Sequence, residues 1–84
     1  LEIQNVALVI NEGKSAYTAD VVNTTEAPIE VLSFNMSFTD ADGNELSNLL
    51  GYVGKTLNPG ERSTITSYTE TDLTNAVSVT YTRN

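Results

Sequence analysis

The sequence contains neither cysteine nor histidine, and these two absences exclude several classes of function. Without cysteine the chain has no disulfide framework and no thiolate ligands for zinc. Without histidine it lacks the Ser-His-Asp and Cys-His arrangements that activate a nucleophile, and it lacks the usual general base. Only carboxylates, Lys and Tyr remain for proton transfer, so we expect no enzyme activity and no cofactor.

Basic residues are scarce as well. The chain has four basic and eleven acidic residues, which gives a net charge of −7. The basic residues are Lys14, Lys55, Arg62 and Arg83. Because the four bases are scattered and form no stripe, nucleic acid and anionic membrane surfaces are poor partners. No apolar run approaches the ~18 residues of a membrane span, and we expect no direct membrane insertion by this segment.

The length of 84 residues fits a single domain with a small core and no deep cavity. The chain opens at Leu1 with no Met and no apolar targeting segment, so we expect residues 1–84 to be one domain excised from a longer exported precursor. Thr, Ser and Asn make up a third of the residues. This composition is common in secreted bacterial β-domains and indicates an extracellular or cell-envelope location.

Apolar and polar residues alternate between turn signals, and no useful helical period is present. The sequence therefore predicts an all-β, Ig-like sandwich of two antiparallel sheets with six to seven strands. The turn signals include Asn58-Pro59-Gly60-Glu61, where Pro presets φ and Gly permits positive φ, as a type II turn requires. Residues 72–76 are predicted to form a loop or helical turn, with Leu73 as an apolar plug.

The predicted strands differ in how clearly one face is apolar. The third is the clearest and is expected to bury one face; in the fourth, Leu49 and Gly51 disturb the alternation. Residues predicted to share a face are Val6, Leu8 and Ile10; Tyr17, Ala19 and Val21; Leu32, Phe34, Met36 and Phe38; Leu46, Leu50 and Tyr52; and Val77, Val79 and Tyr81.

Four short elements together resemble the bacterial FxLYD domains over roughly residues 17 to 68. They are Val21-x-Asn23, Pro28-Ile29-x-Val31, Asp40-Ala41-Asp42-Gly43 and Leu57-x-Pro59-Gly60-Glu61. The name-giving F-x-L-Y-D falls on residues 36–40, where only Asp40 is retained. The resemblance implies a non-catalytic Ig-like sandwich of secreted proteins and lipoproteins, chiefly of Gram-positive bacteria.

The acidic stretch from Asp40 to Glu45 is the one candidate for a metal site. Calcium takes six to eight oxygen ligands, and Asp40, Asp42 and Asn44 could supply some of them. An EF-hand loop needs Gly at its sixth position and Glu at its twelfth, which here are Glu45 and Gly51, so the spacing fails. Asp-Gly between two alternating strands is instead a hairpin signal, and we predict a turn and no metal.

Tyr52 and Tyr68 lie among polar neighbours and could form an aromatic platform for sugar or peptide. Tyrosines in sandwich strands more often bury the ring and leave the hydroxyl at the rim, and we expect that packing here. The sequence thus predicts a non-catalytic Ig-like module of a secreted or lipid-anchored bacterial protein, acting as a spacer or a protein-interaction domain. Its partners would be proteins or neighbouring domains. The alternative is a carbohydrate- or calcium-binding module.

Overall fold

The computed structural model describes all 84 residues and contains six β-strands and no helix, so no helix is present that could cross a membrane. Sheet A has the strand order β1-β2-β5 and sheet B the order β4-β3-β6, and all pairings are antiparallel. The predicted all-β sandwich is confirmed, with six strands. They are β1 (Glu2–Asn11), β2 (Lys14–Val22), β3 (Ile29–Thr39), β4 (Glu45–Leu57), β5 (Arg62–Thr69) and β6 (Ser78–Arg83).

The core lies between the two central strands, β2 and β3. The predicted inner face of β2 is confirmed, and Tyr17 packs edge-to-face on Phe38 with ring centroids 5.1 Å apart. Burial of aromatic and branched side chains supplies most of the stabilising free energy of so small a domain. The fully or nearly fully buried apolar residues are Tyr17, Ala19, Val21, Val31, Phe34, Met36, Phe38, Leu57, Ile65 and Leu73.

The prediction for the third strand was wrong at one position, Leu32. Phe34, Met36 and Phe38 are buried as expected. Leu32 is instead 55% exposed, and Val31 takes its place in the core. The register shifts here, because Val31 pairs with Lys55 while Ser33 pairs with Tyr52. Two residues of β4 therefore oppose Leu32 alone, and such a bulge changes which side chains point inward.

The prediction for the fourth strand was wrong at Leu50 and Tyr52, which point to solvent. Leu46 packs against the core, as predicted. Gly51 is buried between Leu50 and Tyr52. A Cβ atom on Gly51 would lie 2.8 Å from Cδ1 of Ile65, so the missing side chain lets β5 pack closely against β4. Gly51, which disturbs the apolar alternation of the sequence, therefore lies on the inner face of β4.

The connection between β5 and β6 closes one end of the sandwich, and Leu73 is the predicted plug, fully buried. Ser15 holds this segment in place, because its hydroxyl donates to the Thr71 carbonyl at 2.9 Å and accepts from the Leu73 amide at 3.0 Å. Val77 was predicted to belong to the last strand but precedes β6 and is exposed.

The two long flanks of the sandwich differ. On one flank β4 and β5 pack closely together, and the Ser67 hydroxyl donates to the Leu50 carbonyl across the sheets. On the other flank the edge strands β1 and β6 make no comparable approach. We call this side, formed by β1 and β6, the open flank.

Candidate functional site

The Asp40 turn brings together the three residues that the sequence marked as candidate metal ligands. Asp40 Oδ1 accepts hydrogen bonds from the amides of Asp42 and Asn44, each at 2.9 Å, and Oδ2 accepts from Asn44 Nδ2 at 3.4 Å. Gly43 has a φ of 84°, and its amide donates to the Asp40 carbonyl at 3.1 Å. The carboxylate of Asp40 is therefore engaged by the turn it begins.

These hydrogen bonds also set the ionisation of Asp40. The amide of Asn44, followed by that of Asp42, stabilises the carboxylate and lowers the pKa of Asp40 below its ordinary value. No group of three or more Asp and Glu side chains in the structure lies close enough to hold a metal ion. The arrangement is that of a hydrogen-bonded hairpin turn, and the absence of a metal here stays a prediction.

The two exposed tyrosines lie on different sheets. Tyr52 is on the outer face of β4 and Tyr68 on the outer face of β5, with exposed fractions of 63% and 77%. The expectation that their rings pack in the core or at its rim was wrong, and the two rings do not form one platform. Sequence periodicity misassigned Tyr52 because it could not detect that Gly51, between two large residues, faces the core.

A shallow recess of about 480 Å³ lies beside Tyr68 on the outer face of sheet A. Val9 and Ala16 form a row with Tyr68 across the three strands of this sheet. Polar groups surround them at the end of the sheet: Asn11, Glu12, Lys14 and Glu70. An exposed aromatic ring beside carboxylate and amide groups is a surface that a sugar could stack on. A smaller recess of about 170 Å³ lies beside Tyr52.

The open flank is the feature that the sequence analysis missed. Leu8 and Ile10 pair with Tyr17 and Ser15, which are buried, so these two β1 side chains point to the inner face of sheet A. Each is nevertheless 37% exposed. Val6, two residues before Leu8 on the same strand, is more exposed still. The predicted shared face of β1 is present at Leu8 and Ile10, which are covered only in part. Val6 lies within a register shift between Gln4 and Ala7 and has no partner on β2.

Beneath the open flank, the hydroxyls of Tyr17 and Tyr81 are hydrogen-bonded to each other. Burial, with a smaller contribution from Tyr81, raises the pKa of Tyr17 far above its ordinary value. This hydrogen bond links β2 to β6 across the core.

The chain matches no family model, no curated protein and no solved structure. The structure defines the fold class of the protein, which is a small all-β sandwich of two antiparallel three-stranded sheets.

Proposed function

We propose that the chain is a non-catalytic Ig-like module of a secreted or lipid-anchored bacterial cell-envelope protein, acting outside the cytoplasm as a spacer or a protein-interaction domain. The strand orders β1-β2-β5 and β4-β3-β6 correspond to the A-B-E and C′-C-F strands of an Ig domain, which supports the Ig-like part of the proposal. The resemblance to FxLYD domains supports the proposal that the module belongs to a secreted or lipid-anchored protein of the bacterial cell envelope.

The open flank is the observation that favours interaction over a purely passive spacer. A soluble domain usually protects its sheet edges with charge, Pro or a covering segment. β1 has one bulge, between Gln4 and Ala7. Residues 6–10, Val-Ala-Leu-Val-Ile, nevertheless carry no charge and no Pro, and their large side chains are exposed on both faces. An apolar edge of this kind marks a surface that another protein covers.

Site-specific crosslinking would test this proposal. A photo-crosslinking amino acid would replace Leu8 and, as a matched control, exposed Thr66 on the outer face of β5, in the bacterium that encodes the chain. We expect a discrete protein adduct from position 8 and none from position 66. The purified partner should then bind the wild-type chain and bind Leu8→Thr more weakly. If the adducts from the two positions are the same, or position 8 gives none, the open flank is not an interaction surface.

A second candidate function is carbohydrate binding at Tyr68. The exposed ring and the polar groups around its recess favour this reading over a platform shared with Tyr52. A glycan array probed with wild type, Tyr68→Ala and the control Tyr52→Ala would decide it. Selective sugar binding lost only in Tyr68→Ala would replace the protein-interaction proposal. The calcium-binding form of this alternative would depend on Asp40, Asp42 and Asn44.

A further inference from the structure

The recess beside Tyr68 is built from two rows of side chains on the outer face of sheet A. Val9, Ala16 and Tyr68 form the first row, in which the small Ala16 lies between two large, exposed neighbours. Side chains two residues apart on a strand point to the same face, so Asn11 and Lys14 belong to the second row. The recess therefore has an apolar base and an exposed aromatic ring at its side.

Two carboxylates, those of Glu12 and Glu70, line the same recess. Neither is part of the two ion pairs that the chain forms. Lys14 is the single base beside them, and its ammonium group is not paired with either carboxylate. The recess thus carries more negative than positive charge, on a chain whose net charge is −7. Such a site attracts cationic groups.

Glu12 has a backbone conformation that its residue type rarely adopts. It lies with Gly13 in the two-residue turn between the paired Asn11 and Lys14, and the two central residues have φ values of 52° and 77°. A hairpin turn with positive φ at both central residues is type I′ and favours Asn, Asp or Gly at the first. Turn geometry does not explain a Glu here, and a non-Gly residue held in this conformation points to a functional role for its side chain.

We infer that the recess binds an arginine side chain of a protein partner, with the guanidinium stacked on the Tyr68 ring and its charge balanced by the carboxylates of Glu12 and Glu70. A guanidinium is planar and weakly hydrated, so it can stack on an aromatic face while its N–H groups donate to carboxylates in its own plane. An anionic ligand would meet two carboxylates of like charge, and a neutral sugar would gain nothing from them.

The recess is continuous with the apolar edge of β1, because Val9 belongs to both. A protein that covers this edge therefore lies within reach of the Tyr68 ring. The inference depends on the proposed protein-interaction function and names a side chain that the partner contributes. Only that side chain enters the recess. Thr66 does not line it, so position 66 remains a control for crosslinking.

The test uses three peptides, acetyl-Gly-X-Gly-amide, in which X is arginine, lysine or citrulline. Citrulline has nearly the shape of arginine but carries no charge. In an NMR titration of the chain, we expect the arginine peptide to shift the Tyr68 ring signals and the Glu12 and Glu70 amide signals to saturation. The lysine peptide should bind more weakly, and the citrulline peptide at least about fivefold more weakly. Equal binding of the arginine and citrulline peptides would show that charge is not recognised and would overturn the inference.

Variants at the recess provide the matched comparison. Tyr68→Phe keeps the ring and should bind like the wild type, whereas Tyr68→Leu should bind about fivefold more weakly. Glu12→Asn should bind about threefold more weakly and yet melt at a higher temperature, because Asn suits the left-handed turn position. Lys14→Gln should bind more tightly, because a like charge is removed. Unchanged binding in Glu12→Asn, or weaker binding in Lys14→Gln, would contradict a site for a cation.

Other occupants of the recess would give different results, each of which would overturn the inference. A glycan that shifts the same signals when the arginine peptide does not would assign the recess to a sugar. If the peptide binds the 84-residue chain but not the full gene product, another segment of the same polypeptide fills the recess. A second copy would appear as a dimer in sedimentation that Tyr68→Leu dissociates. A partner crosslinked at position 8 that binds Tyr68→Leu and Glu12→Asn as tightly as the wild type would refute the arginine contact alone and leave the interaction function standing.

Discussion

The side-chain amide of Asn23 donates to the carbonyl of Leu57 at 2.8 Å, a hydrogen bond between residues 34 positions apart. The same amide donates to the Ala27 carbonyl at 2.9 Å, and its oxygen accepts from the amide and hydroxyl of Thr25. The Asn23 backbone also exchanges hydrogen bonds with Gly60 and Glu61. One fully buried side chain therefore joins the β2–β3 connection to the end of β4 beside the turn that leads to β5.

Replacement of Asn23 should destabilise the domain strongly. Asn23→Ala removes the side-chain donor to the buried Leu57 carbonyl and the oxygen that accepts from the Thr25 amide and hydroxyl, which should lower the free energy of unfolding by ~2 to 4 kcal/mol. Asn23→Asp keeps the acceptor oxygen and loses the donors, so its cost should be similar. Thr24→Ala, at the exposed neighbour, is the control and should cost less than ~0.5 kcal/mol. Urea unfolding measures all three, and a mild Asn23→Asp would show that the donors contribute little.

The corrected register of β3 predicts different effects at adjacent positions. Phe34→Ala should cost ~3 to 5 kcal/mol because it creates a core cavity. Leu32→Ala, at an exposed position, should cost less than ~1 kcal/mol, and Asn35→Ala on the outer face should be nearly silent. Denaturant midpoints would settle the matter: equal losses at Leu32 and Phe34 would restore simple alternation and rule out the bulge.

Gly51 and Ile65 should be energetically coupled. Gly51→Ala introduces a methyl group within 2.8 Å of the Ile65 Cδ1 atom, and overpacking of this kind costs ~1 to 3 kcal/mol. Ile65→Val removes that Cδ1 atom. In a double-mutant cycle the pair should therefore lose less stability than the sum of the two single variants. Additive losses would indicate that the backbone, and not Ile65, accommodates the new methyl group.

Calcium should not stabilise the Asp40 turn specifically. A calcium site of extracellular affinity would raise the melting temperature by ~2 to 10 °C at millimolar calcium. If the acids only flank a hairpin turn, calcium and magnesium at equal ionic strength screen the same charge. Their melting curves should then coincide to about 1 °C. A calcium-specific rise that disappears in Asp42→Asn would make this turn a metal site.

Acid should destabilise the domain through carboxyl groups whose native hydrogen bonds lower their pKa. The pKa of Asp20 lies below its ordinary 3.8 because Asn5, Thr64 and Arg62 donate to it. A lowered native pKa stabilises the fold above the unfolded value, and this contribution is lost as pH falls through the native pKa. The pKa values of Asp40, Glu45, Glu61 and Asp72 are lowered in the same way.

Stability should therefore fall as pH decreases from about 5 towards 2. The Asp20→Asn variant, which has no carboxyl group at this position, should show a shallower fall over that range. Thermal melts of both proteins at matched ionic strength would measure the difference. An unchanged pH slope in Asp20→Asn would mean that the hydrogen bonds to this carboxylate are equally strong in the unfolded chain.

The sequence by itself determined the features that depend on neighbours along the chain. Alternation in β2 assigned Tyr17, Ala19 and Val21 to the core, and Pro59-Gly60 marked a turn in which Gly60 does have positive φ, at 80°. Asp40-Ala41-Asp42-Gly43 indicated the β3–β4 turn. Strand periodicity and turn chemistry are local, because both arise from backbone geometry over a few residues.

Only the tertiary structure decided which apolar faces are covered. Leu8 and Phe34 occupy similar alternating patterns, yet Phe34 lies under the opposite sheet and Leu8 faces the open flank. The difference depends on which strand lies across from each, a long-range pairing that period-2 alternation does not encode. The role of Asn23 also depends on a long-range contact, because its side-chain amide donates to the distant carbonyl of Leu57. The same holds for Gly51, because Ile65 of another strand fills the space that a side chain would occupy.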